Sequence, residues 1–554
     1  MIYPRFYRHA LNTIRLGEIF QVFAKYGFYD LLSRLGLLQK LPWQVYRQIK
    51  EGFPTIDASW GERLRSALTE LGPTFIKMGQ VLSTRPDLVG YSIAQELSLL
   101  QDKVTPMPFE SVKEVVEKSL NKPLNEVFKE LEPEPVAAGS LSQVHRAVLP
   151  DGTPVAVKVK RVGVESIIES DIQLLMTIAQ WLEEVPEVSF LRPTGIVREF
   201  SRSIRRELDF SIEARIINQF RKNMLDIRNV VVPRVYKTHS TSEVLTMDWI
   251  DGVRVDQFEE YEKRRCDRRV IARLGCEILC KMVCEHRFFH ADPHPGNIFI
   301  TYDNTIAFLD LGMAGYIDER DVKLLSNLLM AVFKQDAHAC VEAILALTAK
   351  PTVPDIVTFE HEISDFIAFE AQQILSSGQV GKGIERAIQI LRENGLELAP
   401  RFTLLLKALA TVESVGRSLD PDLDFVSIIK PYLENLLLRL YEPANVAKEL
   451  YRYLESFSRF LLELPENLTE ISTLIRSGEV KVKVHHEYLD KLSNTIDKSS
   501  SRISLSLLTA SLIVGSSLLI TTSSSVRTLG TIGFVIAGLL GIYIIISILF
   551  SRIQ

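Results

Sequence analysis

The run His290-Ala291-Asp292-Pro293-His294-Pro295-Gly296-Asn297, followed thirteen residues after its Asn by Asp310-Leu311-Gly312, constrains this chain more than any other feature. Between the two lie Ile298-Phe299-Ile300 and Ile306-Ala307-Phe308-Leu309, short apolar runs around Asp303-Asn304. That is the pattern of two strands and a tight turn. A hairpin returns the chain to its starting point, so Asn297 and Asp310 are brought to one place. An Asp, an Asn five residues on, and a second Asp before Gly suit phosphoryl transfer. Asp292 can orient a nucleophile or take its proton, and Asn297 and Asp310 can hold magnesium against nucleotide phosphates. A polar loop with a chance His and Asp is the alternative, and a matching partner upstream argues against it.

That partner is Val155-Ala156-Val157-Lys158-Val159, an alternating strand that puts Lys158 on one face. Val144–Leu149 and Pro154–Val159 flank the turn Pro150-Asp151-Gly152. A strand Lys can bridge the α- and β-phosphates of ATP if a carboxylate holds it. Alone it would read as a surface residue; in series with the Asp, Asn and Asp downstream it reads as part of a nucleotide site. Its carboxylate should come from the helical stretch Glu207–Glu213, with Glu213 the first choice and Glu207 the second. Periodicity does not decide between them, because six residues is neither one helical turn nor two. The segment Ala137-Ala138-Gly139-Ser140 occupies the place of a phosphate-covering loop. Ordinary kinases use several glycines there so that the backbone can approach phosphate. Here Ala at the neighbouring positions restricts it. After Gly312 the chain runs Met313–Ile317 into a helix expected from Asp318, without an Ala-Pro-Glu motif. A peptide-docking segment is therefore not expected.

At 554 residues the chain exceeds one core. Its net charge of −5 implies no bulk affinity for nucleic acid. Residues 1–50 are basic, with aromatics and Leu/Ile at helical spacing; a membrane-surface helix and a helix packed on the body both fit. Helices broken at Gly72-Pro73 and Arg85-Pro86 are expected over 60–102, a helical stretch over Ser166–Arg221, and strands at Val230–Val235 and Glu243–Trp249. Cys276, Cys280 and Cys284 recur at helical spacing, and His286, His290 and His294 also step by four. Pro293 breaks the helix, so the His series does not share one face, and buried free thiols are the better reading than a metal cluster. Met1–Ala10 lacks the apolar run of a secretory leader. Ile503–Thr522 and Gly530–Phe550 carry no charged residue and read as a transmembrane hairpin, with a buried helical pair as the alternative. Lys491, Lys498, Arg502 and Arg552 outside, against Arg527 in the link, put the catalytic body on the cytoplasmic side of a bacterial inner membrane.

Taken together these residues resemble the UbiB/AarF family of atypical kinases. Lys77-Met78-Gly79-Gln80 matches the family's Lys-x-Gly-Gln motif, and Ser83–Leu88, Leu100-Gln101-Asp102, Gln143-Val144-His145 and Glu207-Leu208-Asp209 continue the likeness. The resemblance implies an α+β, two-lobed, protein-kinase-like fold. Its parts would be a helical extension over 1–110, lobes over 111–246 and 247–430, a helical region over 431–502 and the C-terminal hairpin over 503–554. It also implies that Lys77, Gly79 and Gln80 pack over the substrate pocket near Glu207 and Asp209. Where the family generally uses Ala, this chain has Gly139, so its loop should restrain the nucleotide less. The activity implied is ATP hydrolysis with magnesium in support of isoprenoid quinone biosynthesis, particularly ubiquinone. Its partners would be the membrane lipid bilayer and quinone precursors or quinone-biosynthesis proteins, with monomer and homodimer both open. A small-molecule kinase, a protein kinase and an ATP-binding scaffold are the competing readings.

Overall fold

The computed structural model describes residues 3–49, 58–100, 105–189, 192–349, 355–371, 373–374, 378–440, 454–455, 458, 489–522 and 531–541. The chain forms two compact units, residues 1–446 and 447–554.

In the first unit the upper lobe is a five-stranded antiparallel sheet. Its strands are β1 (Glu130–Leu131), β2 (Ala137–Ala138), β3 (Ser142–Val148), β4 (Pro154–Lys160) and, after helices, β6 (Val244–Asp248), in the order β1-β3-β4-β6 with β2 paired to β3. The β3–β4 hairpin closes where Gly152 takes φ +89°, which a side chain would disfavour, and the Asp151 carboxylate accepts from the Thr153 amide at 2.9 Å. On one face Val155, Val157 and Val159 join Val112, Val116 and Phe128 in a core without exposed surface to speak of. Burial of that many branched side chains fixes the register, because a one-residue slip would turn every Val outward.

The lower lobe is helical around short strands. A four-stranded sheet runs β5 (Val230–Val231), β10 (Ile306–Phe308), β9 (Ile298–Ile300), β7 (Val253–Arg254), and β8 (Phe288–His290) pairs antiparallel with β11 (Ala314–Tyr316). The strand expected over Val230–Val235 stops at Val231, because Pro233 has no amide to give a ladder. Beneath lie the helices Arg268–Cys284 and Pro400–Leu419, sharing a core that holds Cys276, Ile278, Leu279, Leu405 and Ala408. All five cysteines are free thiols, and burial pushes Cys276 up to about 12. Among the described residues no group of three or more His, Cys, Asp and Glu is arranged to hold a metal.

A third core belongs to the N-terminal segment. The helix Tyr3–Phe23 buries Leu16, Ile19 and Phe20 against Leu68, Leu71 and Phe75, so the basic amphipathic stretch packs on the body. The same core takes in Ile168, Ile172, Phe200 and Ile204, from the helices Val164–Glu183 and Pro193–Glu207. Arg15 reaches Asp171 at 3.0 Å, and the hydroxyl of Thr74 donates to the same carboxylate at 2.6 Å. The 60–102 helices break as expected, at Gly72 before Pro73 and at Arg85 before Pro86.

In the second unit a helix covers Leu489–Thr522, and residues 531–541 are helical. The transmembrane hairpin is not found: among the described residues no helix is long and apolar enough to cross a membrane. Eight hydroxyl side chains lie within Ile503–Thr522, and those of Thr509 and Ser511 bond back to the carbonyls of Leu505 and Leu507. Gly530 and residues 542–550 of the expected second span lie outside the described residues.

Candidate active site

The floor of the site starts at the sheet. Lys158 sits in β4 between Val144 of β3 and Leu245 of β6. Its side chain leaves the sheet on the face opposite the buried valines, toward the lower lobe. Glu213 meets it from the helix Phe210–Asn223, with Nζ at 2.8 Å and 2.9 Å from the two carboxylate oxygens. That helix is started by Asp209, whose side chain accepts from the Ser211 amide at 2.9 Å. The cap places Glu213 in the first turns, pointing inward, and it is buried. Glu207 lies one helix earlier and takes a different cation, so the question left open by periodicity is answered for Glu213. The third member is Asp310, whose Oδ2 is 3.9 Å from Lys158.

Lys158 and Asp310 hold each other ionised, whereas burial pushes the Glu213 carboxyl up even with Lys158 beside it. Burial pushes the Lys158 ammonium down, and Asp310 and Glu213 more than offset it, so the net direction is up. Lys158 in turn draws Asp310 down to about 2, against burial, with the Gly312 amide and Lys77 helping. Half of the Asp310 carboxylate remains open to the cleft.

The hairpin between Asn297 and Asp310 is built as its residues require. Asp303 and Asn304 take φ +54° and +58°, the left-handed pair that a two-residue type I′ turn needs. The Leu309 amide donates to the Asn297 carbonyl at 3.1 Å, closing the strands just before Asp310. Asn297 donates through Nδ2 to the Asp292 carbonyl at 3.1 Å, and the Gly312 amide donates to Asp310 Oδ1 at 3.0 Å. Asp292, Asn297 and Asp310 are thus joined by hydrogen bonds through one loop and one hairpin. Below them His290 is 1% exposed and accepts from the Asp292 amide at Nδ1, 3.3 Å. Burial pushes its imidazole down to about 4, so at neutral pH it is uncharged.

One partner was invisible to motif reading. Lys407, on the helix Pro400–Leu419, places Nζ 3.0 Å from Asp292 Oδ1. Burial raises the Asp292 carboxyl, but Lys407 and then His294 outweigh it and hold the group below its ordinary range. Nothing local in the sequence marks Lys407; it lies in an apolar helix more than a hundred residues downstream.

The covering loop differs from an open glycine-rich one. Ala137 and Ala138 form β2, with Ala137 opposite Val144, which is itself opposite Lys158. The loop therefore lies in the same row as Lys158, two strands away, or roughly 10 Å. The Gly139 amide donates to the Ser142 carbonyl at 2.8 Å, and Arg161 donates to the Gly139 carbonyl at 2.8 Å. Ser140 is buried, and its hydroxyl has no hydrogen-bond partner among the described residues. Next to it Gln143 and His145 form a buried pair at 2.8 Å, and Gln143 also accepts from the Met107 amide at 2.7 Å. Those two residues serve the sheet, not the cleft.

The cover comes from the helix Pro73–Ser83. Lys77 pairs with Glu207 at 2.6 Å, and Lys77 is also close enough to help depress Asp310. Gly79 packs close against two leucines: a Cβ there would lie 2.3 Å from Leu100 Cδ1 and 2.9 Å from Leu68 Cδ1, so those side-chain ends would have to shift. Gln80 donates to the Leu100 carbonyl at 3.2 Å. Arg85, buried, pairs with Glu199 at 3.2 Å and with Glu397 of the lower lobe. Gln101 and Asp102 lie outside the described residues. On the far side the lower lobe passes from Gly312 through β11 straight into the helix Glu319–Lys334, whose start is closed by an Asp318–Asp321 capping box. No docking segment intervenes.

Three family descriptions match this chain in order: an ABC1 atypical kinase-like domain over residues 99–344, a UbiB helical domain over 371–424, and an ABC1/UbiB kinase-like C-terminal domain over 487–550. A probable protein kinase UbiB of Marinobacter nauticus is 34% identical over 476 residues, covering 84% of this chain and 86% of the relative. This chain belongs to the ABC1/UbiB family. A probable protein kinase UbiB of Cellvibrio japonicus is 35% identical, covering 82% of each chain. A chloroplast protein of Arabidopsis thaliana, Activity of BC1 complex kinase 7, is 32% identical over 77% of this chain and 62% of its own length. The ABC1 atypical kinase-like match covers the upper sheet, the loop from His290 to Asn297 and the hairpin to Asp310, and Lys407, on the lower-lobe helix Pro400–Leu419, falls in the part that matches the UbiB helical domain.

The donor set of this ABC1/UbiB site fits magnesium. Asp310 offers an ionised carboxylate open to the cleft. Asn297 spends its amide nitrogen on Asp292, which leaves its amide oxygen available. Magnesium takes one or two protein oxygens and leaves the rest of its shell to water and phosphate.

Proposed function

We propose that this ABC1/UbiB chain is a magnesium-dependent ATPase that serves isoprenoid quinone biosynthesis, ubiquinone above all, at a membrane surface. The observation that carries the reading is the Lys158 ammonium, held two-pronged by Glu213 with Asp310 at 3.9 Å. Lys158 then meets the α- and β-phosphates, and Asn297 and Asp310 hold the metal. Magnesium, when bound, neutralises phosphate charge. Asp292 orients the attacking water and takes its proton. The water oxygen bonds to the γ-phosphorus as the bond to the β–γ bridging oxygen breaks, and the electron pair leaves on ADP. Water is favoured over a peptide hydroxyl because the Lys77 helix closes onto Glu207 and no docking segment follows Gly312.

Association with lipid is supported by the second unit. Ile503, Leu507, Leu508, Val514, Leu518, Ile532, Val535 and Leu539 are all exposed there. Among the described residues no helix is long and apolar enough to cross a membrane, so the reading is of an exposed apolar surface resting at the interface of a bilayer, with the body on the cytoplasmic side of a bacterial inner membrane. A quinone precursor or a quinone-biosynthesis protein is the partner that such a position serves.

Phosphate release from ATP by the full chain with lipid vesicles tests the reading. Asp310→Asn is expected to lower turnover on the order of 100-fold, the scale of losing one preorganised charge in a site. An inactive wild type, or an unchanged rate in the variant, ends it. In cells, the variant should fail to restore quinone when the gene is deleted.

A further inference from the structure

Asp292 and Lys407 pose a problem that the proposed hydrolysis leaves unsolved. The general base is covered by an ammonium 3.0 Å away. Meanwhile the loop that carries the base, Pro293-His294-Pro295-Gly296, contains no lysine or arginine. A triphosphate brings about four negative charges, of which the γ-phosphate holds two. Lys158 is committed to Glu213 and Asp310, on the sheet side of the cleft. Lys77 is committed to Glu207. The γ-phosphate, at the Asp292 end, needs a cation of its own.

We propose that Lys407 is the γ-phosphate's cation: with the site empty it rests on Asp292, and with ATP bound it turns to the γ-phosphate and frees Asp292 for water. This rests on the ATPase reading. Three features support it. Leu405 and Ala408 anchor the helix in the core on either side of Lys407, so the backbone is fixed while the side chain remains about a quarter exposed. Its long flexible stem allows the ammonium to swing between neighbouring acceptors. Among the described residues its one anionic contact is Asp292, so any group that attracts it more strongly than a single carboxylate releases the base. A doubly charged phosphate does that.

The inference predicts a binding signature independent of turnover. Lys407 should distinguish a nucleotide that has a γ-phosphate from one that lacks it. Calorimetric titration of the full chain with ADP and with the non-hydrolysable imido analogue of ATP, both with magnesium, reads this directly. In Lys407→Met, analogue affinity is expected to fall by about tenfold, while ADP affinity stays within about twofold. Lys407→Arg keeps the charge and should retain most of the preference. Equal affinities for both nucleotides in wild type and Lys407→Met would overturn the inference, as would equal weakening of both, which marks a structural role. Combining Lys407→Met with Asp292→Asn adds a second arm. If Lys407 acts only by holding Asp292, its loss costs nothing more once the carboxylate is gone; a further loss of analogue affinity supports the contact with phosphate. A wild type that binds neither nucleotide removes the ATPase reading and this inference together, whereas intact binding with no selectivity change removes this inference alone.

Discussion

The floor and the cover of the cleft both rest on a lysine paired with a glutamate, and the two pairs are built for different purposes. Lys158–Glu213 has 15% and 7% of its side chains exposed, is two-pronged, and has Asp310 beside it. Lys77–Glu207 has a comparably buried lysine, but Glu207 is 36% exposed. Breaking a buried pair leaves a charge with nowhere to go, whereas a half-wet pair trades its partner for water at little cost. The floor is therefore a fixed part of the fold. The cover is a contact that ordinary fluctuation or a ligand can release, and its hold on the body depends more on close packing at Gly79 and on Arg85 than on the Lys77 charge.

The largest expected effect tests the floor. Glu213→Gln leaves Lys158 with Asp310 as its near anion, on the open side of the cleft. Removing one member of a buried pair costs about 3–5 kcal/mol, and capture by Asp310 should keep the loss toward the lower end. Urea denaturation of the first unit within the full chain checks this; a loss under about 1 kcal/mol would put the floor in the same class as the cover.

A pH effect follows from His290, just under the same floor. Burial lowers its folded value to about 4, against the ordinary 6.5 of an exposed imidazole. Between those values the unfolded chain binds a proton that the folded chain refuses, so stability falls as pH drops from about 6.5 toward 4. From pH 7 to pH 5 the contribution of this one residue is about 2 kcal/mol. Denaturation curves at both pH values for the wild type and His290→Asn isolate it: the variant should lose less on acidification. Equal losses would mean the imidazole is solvated in the folded state.

What could be read in advance follows the same division. The floor is made by residues close in sequence or tied by regular structure. Asn297 and Asp310 are joined by a two-strand hairpin whose turn residues are written as Asp303-Asn304, and Lys158 is placed by strand alternation. Short-range rules are enough for these. The choice of Glu213 over Glu207 needed the cap at Asp209, which sets where the helix begins and hence which way each carboxylate points. Lys407 and Glu397 were beyond reach, because their partners lie more than a hundred residues away and neither sits in a distinctive pattern. The cover was legible only through family likeness; nothing in Lys77-Met78-Gly79-Gln80 alone says that its glycine must clear Leu100. The C-terminal stretch differs: an uncharged run of the right length over Ile503–Thr522 reads as a span, yet among the described residues no helix is long and apolar enough to cross a membrane.

The smallest effect tests the cover. Lys77→Ala removes an ion pair whose carboxylate is about a third exposed, worth on the order of 1 kcal/mol, so the melting temperature should move little. The local consequence should be larger than the global one. Amides in the helix Pro73–Ser83 are expected to exchange faster with deuterium, while those in β4 and in the helix Phe210–Asn223 stay protected. Raising salt in the wild type should reproduce part of the change, since screening acts on the exposed pair and spares the buried one. If instead the exchange of β4 rises along with that of the Lys77 helix, the floor and the cover open as one cooperative body, and the distinction between them fails. If neither changes, Gly79 and Arg85 alone keep the cleft shut, and Lys77 acts there through its field on Asp310, without serving as a latch.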